Sequence, residues 1–121
     1  MIISSFYHST VSNIYVYFMR DLTFQSRAPK LYSYLQQSSL IVVKGDLNYR
    51  KLTGDLKWPH TTPFRTALRS FHPAPLCPLR GLKAEVVVGL SEGQAETVYR
   101  QAHDWLTSGH FNVIQFAHSS W

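Results

Sequence analysis

One short stretch of the chain, KGDLNYR at 44–50, concentrates side chains suited to binding a small ligand. It contains two cations, one carboxylate, one amide and one phenol. A guanidinium such as Arg50 can hold a phosphate through two parallel hydrogen bonds, whereas Asp46 and Asn48 can bind hydroxyl groups. Two ordinary alternatives compete with this interpretation. Asp46 could cap a helix, and Arg50 with Lys51 could form a solvated helix face.

A second basic pair, Arg80 and Lys83, follows the short apolar stretch Leu76–Leu79. These two cations could bind a phosphate together, or they could be surface residues whose stems cover apolar atoms. We interpret the single cysteine, Cys77, as a small buried apolar residue. The histidines show no metal-ligand spacing, so the residues alone predict no metal site. They are His8, His60, His72, His103, His110 and His118.

The elements around the 44–50 stretch would place it at the edge of a sheet. Leu40–Val43 is an unbroken apolar run, which is typical of a parallel strand buried on both faces. Gly45 then allows a sharp turn, and a short helix is expected from Leu47 to Leu52, ending at Gly54. In open α/β sheets, ligands bind outside the carboxyl ends of the strands. The polar turn should therefore face a binding crevice.

Hydrophobic periodicity predicts the remaining elements. Residues 1–25 show weak strand-like alternation through Ile14, Val16 and Phe18. Pro78 restricts Leu76–Leu79 to an edge or irregular strand. The other predicted elements are a helix at 29–37, a helix of about two turns from Phe64, a strand at 84–90, a helix at 94–106 and a strand at 111–116.

Length and charge limit the classes of partner. The chain has 121 residues, which suits one domain, and a formal net charge of +5, which would attract anions. The basic residues form no dense stripe, so we expect no nucleic-acid partner. The apolar run Ile14–Met19 is much shorter than the roughly 18 residues of a membrane span, so we expect no membrane partner. These features favour an intracellular, cytoplasmic protein, and they predict no oligomeric state.

The stretch KGDLNYRKLTGD at 44–55, followed by Trp58 and by FHPAPLCPLRGLKAE at 71–85, resembles the damage-control phosphatase family. The eukaryotic branch of that family has also been described as an acidic-residue methyltransferase. The resemblance covers roughly Ala28 to Phe116. It implies a three-layer, Rossmann-like α/β fold with a parallel sheet. Residues 28–121 would be the carboxyl-terminal part of the family domain, and residues 1–27 would be an unmatched segment.

The resemblance also assigns substrate-binding residues. The family's Asp-Leu-Asn-Tyr-Arg loop matches Asp46, Leu47, Asn48, Tyr49 and Arg50, and its Arg-Thr-x-Lys motif matches Arg80 to Lys83. Gly81 replaces the usual Thr and therefore lacks its hydroxyl group. On chemical grounds we expect Arg50, Arg80 and Lys83 to clamp a phosphate, Asp46 and Asn48 to bind sugar hydroxyls, and Tyr49 to form a pocket wall.

A divalent metal, Mn²⁺ or Ni²⁺, is implied as well, since family members hold one with an Asp-Asn pair and a further Asp upstream of the substrate loop. This chain has no Asp-Asn dipeptide, and Asp21 is its only acidic residue before Asp46. The resemblance thus predicts a metal-dependent phosphatase of sugar phosphates such as fructose 1-phosphate and fructose 6-phosphate. The chain would be a truncated form that carries the substrate-binding half and lacks the metal ligands.

Three alternatives remain open at this stage. The chain could be a catalytically inactive fragment or phosphate-binding module, or a protein-glutamate carboxyl methyltransferase as proposed for some relatives. A basic nucleic-acid binder ranks last.

Overall fold

The computed structural model of the protein describes residues 24–118, which contain five short helices and three strands. The alternation predicted through Ile14, Val16 and Phe18 lies outside these residues. No helix within 24–118 is long and apolar enough to cross a membrane. In chain order the elements are α1 Phe24–Arg27, α2 Pro29–Leu35, β1 Ile41–Lys44, α3 Asp46–Leu52, α4 Phe64–Ala67, β2 Leu76–Gly81, α5 Gln94–Gln101 and β3 Asn112–Ile114.

The three strands form one small sheet in the order β1-β2-β3. β1 and β2 are parallel, with Lys44 opposite Leu79, whereas β2 and β3 are antiparallel, with Leu79 opposite Ile114. The predicted α/β class is therefore confirmed. The sheet is mixed, however, because β3 returns along β2 in the opposite direction instead of extending the parallel pair.

The strand that contains Pro78 is the central strand, so its prediction as an edge strand was wrong, whereas the predicted irregularity is present in its pairing with β3. Proline is tolerated there because its carbonyl still accepts a hydrogen bond from the Gln115 N–H at 3.3 Å. The reciprocal bond of this antiparallel pair cannot form, since proline has no N–H. Accordingly β3 ends at Ile114, and pairing resumes only at the isolated bridge between Leu76 and Ala117.

The stretch 84–90 is not a strand, although its apolar composition predicted one. Val87 and Val88 are fully buried, which explains the composition. The backbone of this segment binds side chains and a neighbouring loop instead of a strand. Val88 N–H donates to the Tyr49 hydroxyl, and Gly89 N–H donates to the Thr62 carbonyl. The apolar composition therefore reflects burial of the segment and not membership of a strand.

Two helices are shorter than predicted. The helix expected at 94–106 ends at Gln101, because Ala102 is extended, with φ −152° and ψ 113°. The chain around buried Trp105 forms turns instead of continuing the helix. The helix from Phe64 has a single turn, since Arg69 adopts a left-handed conformation with φ 56° that helical residues do not take. By contrast α2, β1 and α3 follow their predicted positions to within about two residues.

Buried side chains form two clusters. The larger packs α2, α3 and α4 against one face of the sheet, with Leu35, Ile41, Tyr49, Leu52 and Leu76 at its centre. The smaller surrounds Leu82, Val87 and Trp105. Together the clusters hold the carboxyl ends of β1 and β2 in place.

The opposite face of the sheet, here named the outer sheet face, is apolar and open. Ile114 and Phe116 are 73% and 59% exposed. Cys77, predicted to be buried, is half-buried on this face beside Val42, which is its register partner. Its apolar residues are Val42, Cys77, Leu79, Ile114 and Phe116, and exposed Lys44, the register partner of Leu79, lies on the same face.

Candidate functional site

The carboxylate of Asp46 joins the two predicted motifs. Gly45, with φ 98°, turns the chain directly after β1, so α3 begins at Asp46 beside the end of the parallel strand β2. Arg80 Nε and Nη2 lie 2.8 and 2.7 Å from Asp46 Oδ1, and Lys83 N–H donates to the same oxygen at 3.3 Å. Gly45 is the N-cap residue of α3, so the carboxylate binds the second motif instead of capping the helix.

The guanidinium of Arg80 is completely buried, whereas the Asp46 side chain retains 15% exposure. Besides Asp46, Arg80 donates to the Ala84 carbonyl at 3.1 Å and to the Val86 carbonyl. Its central carbon lies 4.3 Å from the centre of the Tyr49 ring, within cation–π range. Arg80 therefore links the 84–86 segment to the start of α3.

Tyr49 forms the floor beneath this ion pair. Its hydroxyl donates to Gln115 Oε1 at 2.8 Å and accepts the Val88 N–H at 3.2 Å, while Gln115 Nε2 donates to the Val88 carbonyl. Burial raises the pKa of Tyr49, and the hydrogen bond from Val88 and the charge of Arg80 oppose that rise. The ring is fully buried and stacks on Phe64 at 6.0 Å.

Arg50 is a predicted site residue that reaches the surface while pairing with two carboxylates. Its side chain is 34% exposed, and its Nε and Nη2 each lie 2.9 Å from a carboxylate oxygen of Asp55. This hydrogen-bonded pairing raises the pKa of Arg50. Nη1 is 3.9 Å from Asp46 Oδ2, so Asp46 lies between the buried and the exposed arginine.

The other predicted residues divide between the interior and the surface. Asn48 is buried, and its Nδ2 donates to the Lys44 carbonyl at 2.6 Å. Leu47 and Lys83 are exposed, and the Lys83 side chain runs past Gly109, where an added Cβ would lie 3.8 Å from Lys83 Cε. The structure thus brings the two motifs together, and the individual roles in substrate binding stay predictions.

An open cleft of about 550 Å³ lies beside Arg50 and is here named the Arg50 cleft. Sequence reasoning missed most of its lining, since no motif spacing singles out Lys57, His60 or Glu85. His60 Nδ1 lies 3.0 Å from the Val87 carbonyl, which can only accept, so Nδ1 carries the proton and Nε2 is the other ring nitrogen available to a ligand. The lining comprises Arg50, Asp55, Lys57, Trp58, His60, Ala84, Glu85, Val86, Leu106 and Thr107.

The described part of the chain does not fit a protein-held divalent metal. Within it no three His, Cys, Asp or Glu side chains are grouped as a ligand set. The two carboxylates nearest the motifs are engaged by cations, Asp46 by Arg80 and Asp55 by Arg50.

Fold and site together define an α/β domain that presents cations and a carboxylate at the carboxyl ends of its strands. A sequence model of the damage-control phosphatase ARMT1-like domain matches residues 8–98. That match covers most of the chain, so the protein belongs to the damage-control phosphatase ARMT1-like domain family. It includes both predicted motifs and reaches back into the segment before Ala28.

Individual relatives agree with the family match. The chain is 61% identical over 90 residues to damage-control phosphatase ARMT1 of Danio rerio, covering 74% of this chain and 20% of the relative. It is 56% identical over 92 residues to the Xenopus laevis protein of the same name, covering 76% and 21%. For the Homo sapiens protein the identity is 54% over 89 residues, covering 74% and 20%. The chain therefore spans about a fifth of the length of these curated relatives.

Proposed function

We propose that this chain supplies the sugar-phosphate-binding part of a metal-dependent damage-control phosphatase. One observation carries the proposal: Asp46 Oδ1 accepts hydrogen bonds from both Arg80 and Lys83, so two motifs distant in sequence form one site. That site lies where ligands bind in α/β sheets, outside the carboxyl ends of parallel strands. Fructose 1-phosphate and fructose 6-phosphate are the substrates proposed.

In this proposal two cations that reach the surface, half-buried Arg50 and exposed Lys83, bind the phosphate oxygens. Preorganised cations stabilise the charge that spreads over the phosphoryl oxygens during transfer. Arg80 supports the site without contacting the phosphate, because its buried guanidinium holds Asp46 and the 84–86 segment in position. Mn²⁺ or Ni²⁺ would be held by residues outside the described part. A three-layer Rossmann-like arrangement, with residues 28–121 as its carboxyl-terminal part, and a cytoplasmic location belong to the same proposal.

The second candidate is a phosphate-binding module without phosphatase activity. It is favoured by the lack of a grouped metal-ligand set within residues 24–118. One assay on the purified 121-residue chain tests whether it holds a metal by itself, namely release of phosphate from fructose 1-phosphate with Mn²⁺, Ni²⁺, Co²⁺ or Mg²⁺; a hybrid enzyme separates the two candidates. We expect no metal-stimulated release from this chain alone. Robust turnover would mean that the chain holds a metal by itself.

The proposed phosphatase role is tested in a hybrid enzyme. Residues 28–118 replace the matching region of the Danio rerio relative, and Arg50→Ala and Lys83→Ala are introduced separately. Each substitution should lower kcat by about 10²–10³, as loss of one preorganised charge-stabilising donor does. Lys30→Ala, at an exposed position of α2, is the matched control and should cost less than about threefold.

The hybrid experiment separates three outcomes. Equal losses in all three variants would indicate a general basic surface. Full activity in the Arg50 and Lys83 variants would remove the site assignment. Circular dichroism of each variant is needed because Arg50→Ala also leaves Asp55 without its arginine partner.

A further inference from the structure

We infer that the Arg50 cleft binds the sugar portion of the phosphorylated substrate, with Glu85, Lys57 and Trp58 selecting it. This inference rests on the proposed function, which assigns the phosphate to Arg50 and Lys83. Nothing in the two motifs points to Glu85, Lys57 or Trp58. Their assignment comes from the charge and shape of the cleft alone.

The cleft presents both signs of charge. Asp55 and Glu85 line it together with Arg50 and Lys57. A compact anion placed deep in it would meet two carboxylates, and a compact cation would meet two basic side chains. A polyhydroxylated group suits the lining, since each hydroxyl both donates and accepts hydrogen bonds. The volume of about 550 Å³ lies within the usual range for small-molecule sites.

Glu85 and Lys57 are available to such a ligand. Both are exposed, and neither forms a hydrogen bond or ion pair with another residue of the 24–118 part of the chain. They line one cleft without neutralising each other, so within residues 24–118 an entering ligand has no side-chain partner of theirs to displace. Hydrogen bonds to charged groups are stronger than those between neutral groups. Glu85 as acceptor and Lys57 as donor therefore give the cleft its selectivity for hydroxyl positions.

Trp58 provides a rigid flat wall. Its Nε1–H donates to the Thr53 carbonyl at 2.8 Å, which fixes the ring at the end of α3. The ring is partly buried against the larger core cluster, and it also lines the cleft. A sugar has an apolar face of C–H groups that can pack on such a ring, whereas inorganic phosphate has none.

The cleft lies next to the proposed phosphate site, because the two share a residue and a continuous segment of chain. Arg50 belongs to both, and the cleft wall 84–86 follows Lys83 directly in the chain. Arg80 holds that wall by donating hydrogen bonds to the Ala84 and Val86 carbonyls. A phosphate at Lys83 would thus have its attached sugar directed along the wall into the cleft.

Binding to the ¹⁵N-labelled 121-residue chain tests the inference. Inorganic phosphate and fructose 1-phosphate are titrated separately while backbone amide shifts are followed. The sugar phosphate should bind at least fivefold more tightly and should shift amides of 55–58, 60, 84–86 and 106–107, which inorganic phosphate leaves unchanged. Glu85→Gln keeps the side-chain shape and should weaken fructose 1-phosphate about threefold to tenfold without affecting inorganic phosphate.

The control is Glu92→Gln, which makes the same exchange at an exposed residue outside the cleft and should change neither affinity. Equal binding of the two probes, with no effect of Glu85→Gln, would overturn the sugar site. The proposed phosphate site would still stand if Arg50→Ala weakened both probes. Failure of the wild-type chain to bind either probe would instead overturn the proposed function, and the sugar site with it.

Discussion

Replacing Arg80 by methionine should destabilise the protein more than any exposed substitution. Methionine keeps much of the apolar stem but removes every donor of the guanidinium. Asp46 Oδ1 loses contacts of 2.8 and 2.7 Å, and the Ala84 carbonyl loses one of 3.1 Å. The Val86 carbonyl and the face of Tyr49 lose their partner as well.

The expected loss in the free energy of unfolding is about 3–4 kcal/mol. A hydrogen bond to a charged group contributes about 1.5–3 kcal/mol, and each bond to a carbonyl adds about 1 kcal/mol. Removing one partner of a buried ion pair costs about 3–5 kcal/mol. The lower part of that range applies because Asp46 keeps 15% exposure and can recover some hydration.

Urea denaturation followed by circular dichroism measures this loss. With a urea dependence of about 2 kcal/mol per molar, the midpoint should fall by about 1.5–2 M. Arg100→Met, at an exposed position of α5, is the matched control and should change stability by less than about 0.5 kcal/mol. A double-mutant cycle with Asp46→Asn should give a coupling energy of about 1.5–3 kcal/mol. A loss below about 1 kcal/mol for Arg80→Met would refute the reasoning.

Three further predictions concern the floor of the site and the open sheet. Tyr49→Phe should lower the free energy of unfolding by about 1–3 kcal/mol, because buried Val88 N–H and Gln115 Oε1 lose their hydroxyl partner; urea midpoints measure the loss. Since the pKa of Tyr49 is raised in the folded state, its neutral form is favoured there, and stability should fall as pH rises above the ordinary value of 10.0. Tyr49→Phe lacks the titrating hydroxyl and should lack that part of the decline. The difference in the free energy of unfolding between wild type and variant should therefore narrow as pH rises above 10.0. A difference that stays constant with pH would contradict the raised pKa. Finally, the apolar outer sheet face should promote self-association. The double variant Ile114→Lys, Phe116→Lys should therefore have a higher monomer fraction in light scattering. A monodisperse wild-type monomer would contradict this.

The candidate site was only partly predictable from the sequence. The residue types and spacing of the 44–50 stretch and of Arg80 with Lys83 indicated a ligand-binding site, and the resemblance indicated the family. The direct contact between Asp46 and Arg80 was not predicted, because it depends on the parallel register of β1 and β2. The Arg50 cleft was not predicted either. Its lining comes from loops that no local periodicity relates to one another.

Local pattern by itself determined α2, β1 and α3, because propensity, apolar spacing and the glycine turn act between residues close in sequence. It could not distinguish a strand from a buried loop at 84–90, since both need apolar side chains. Only the tertiary structure decided that case, by supplying the Tyr49 hydroxyl and the Gln115 amide as hydrogen-bond partners for the Val88 backbone. The same holds for Pro78, whose central position depended on a strand from the far end of the chain. In both cases the hydrogen-bond partners of the backbone lie far away in the sequence, so a local stretch of residues does not reveal them.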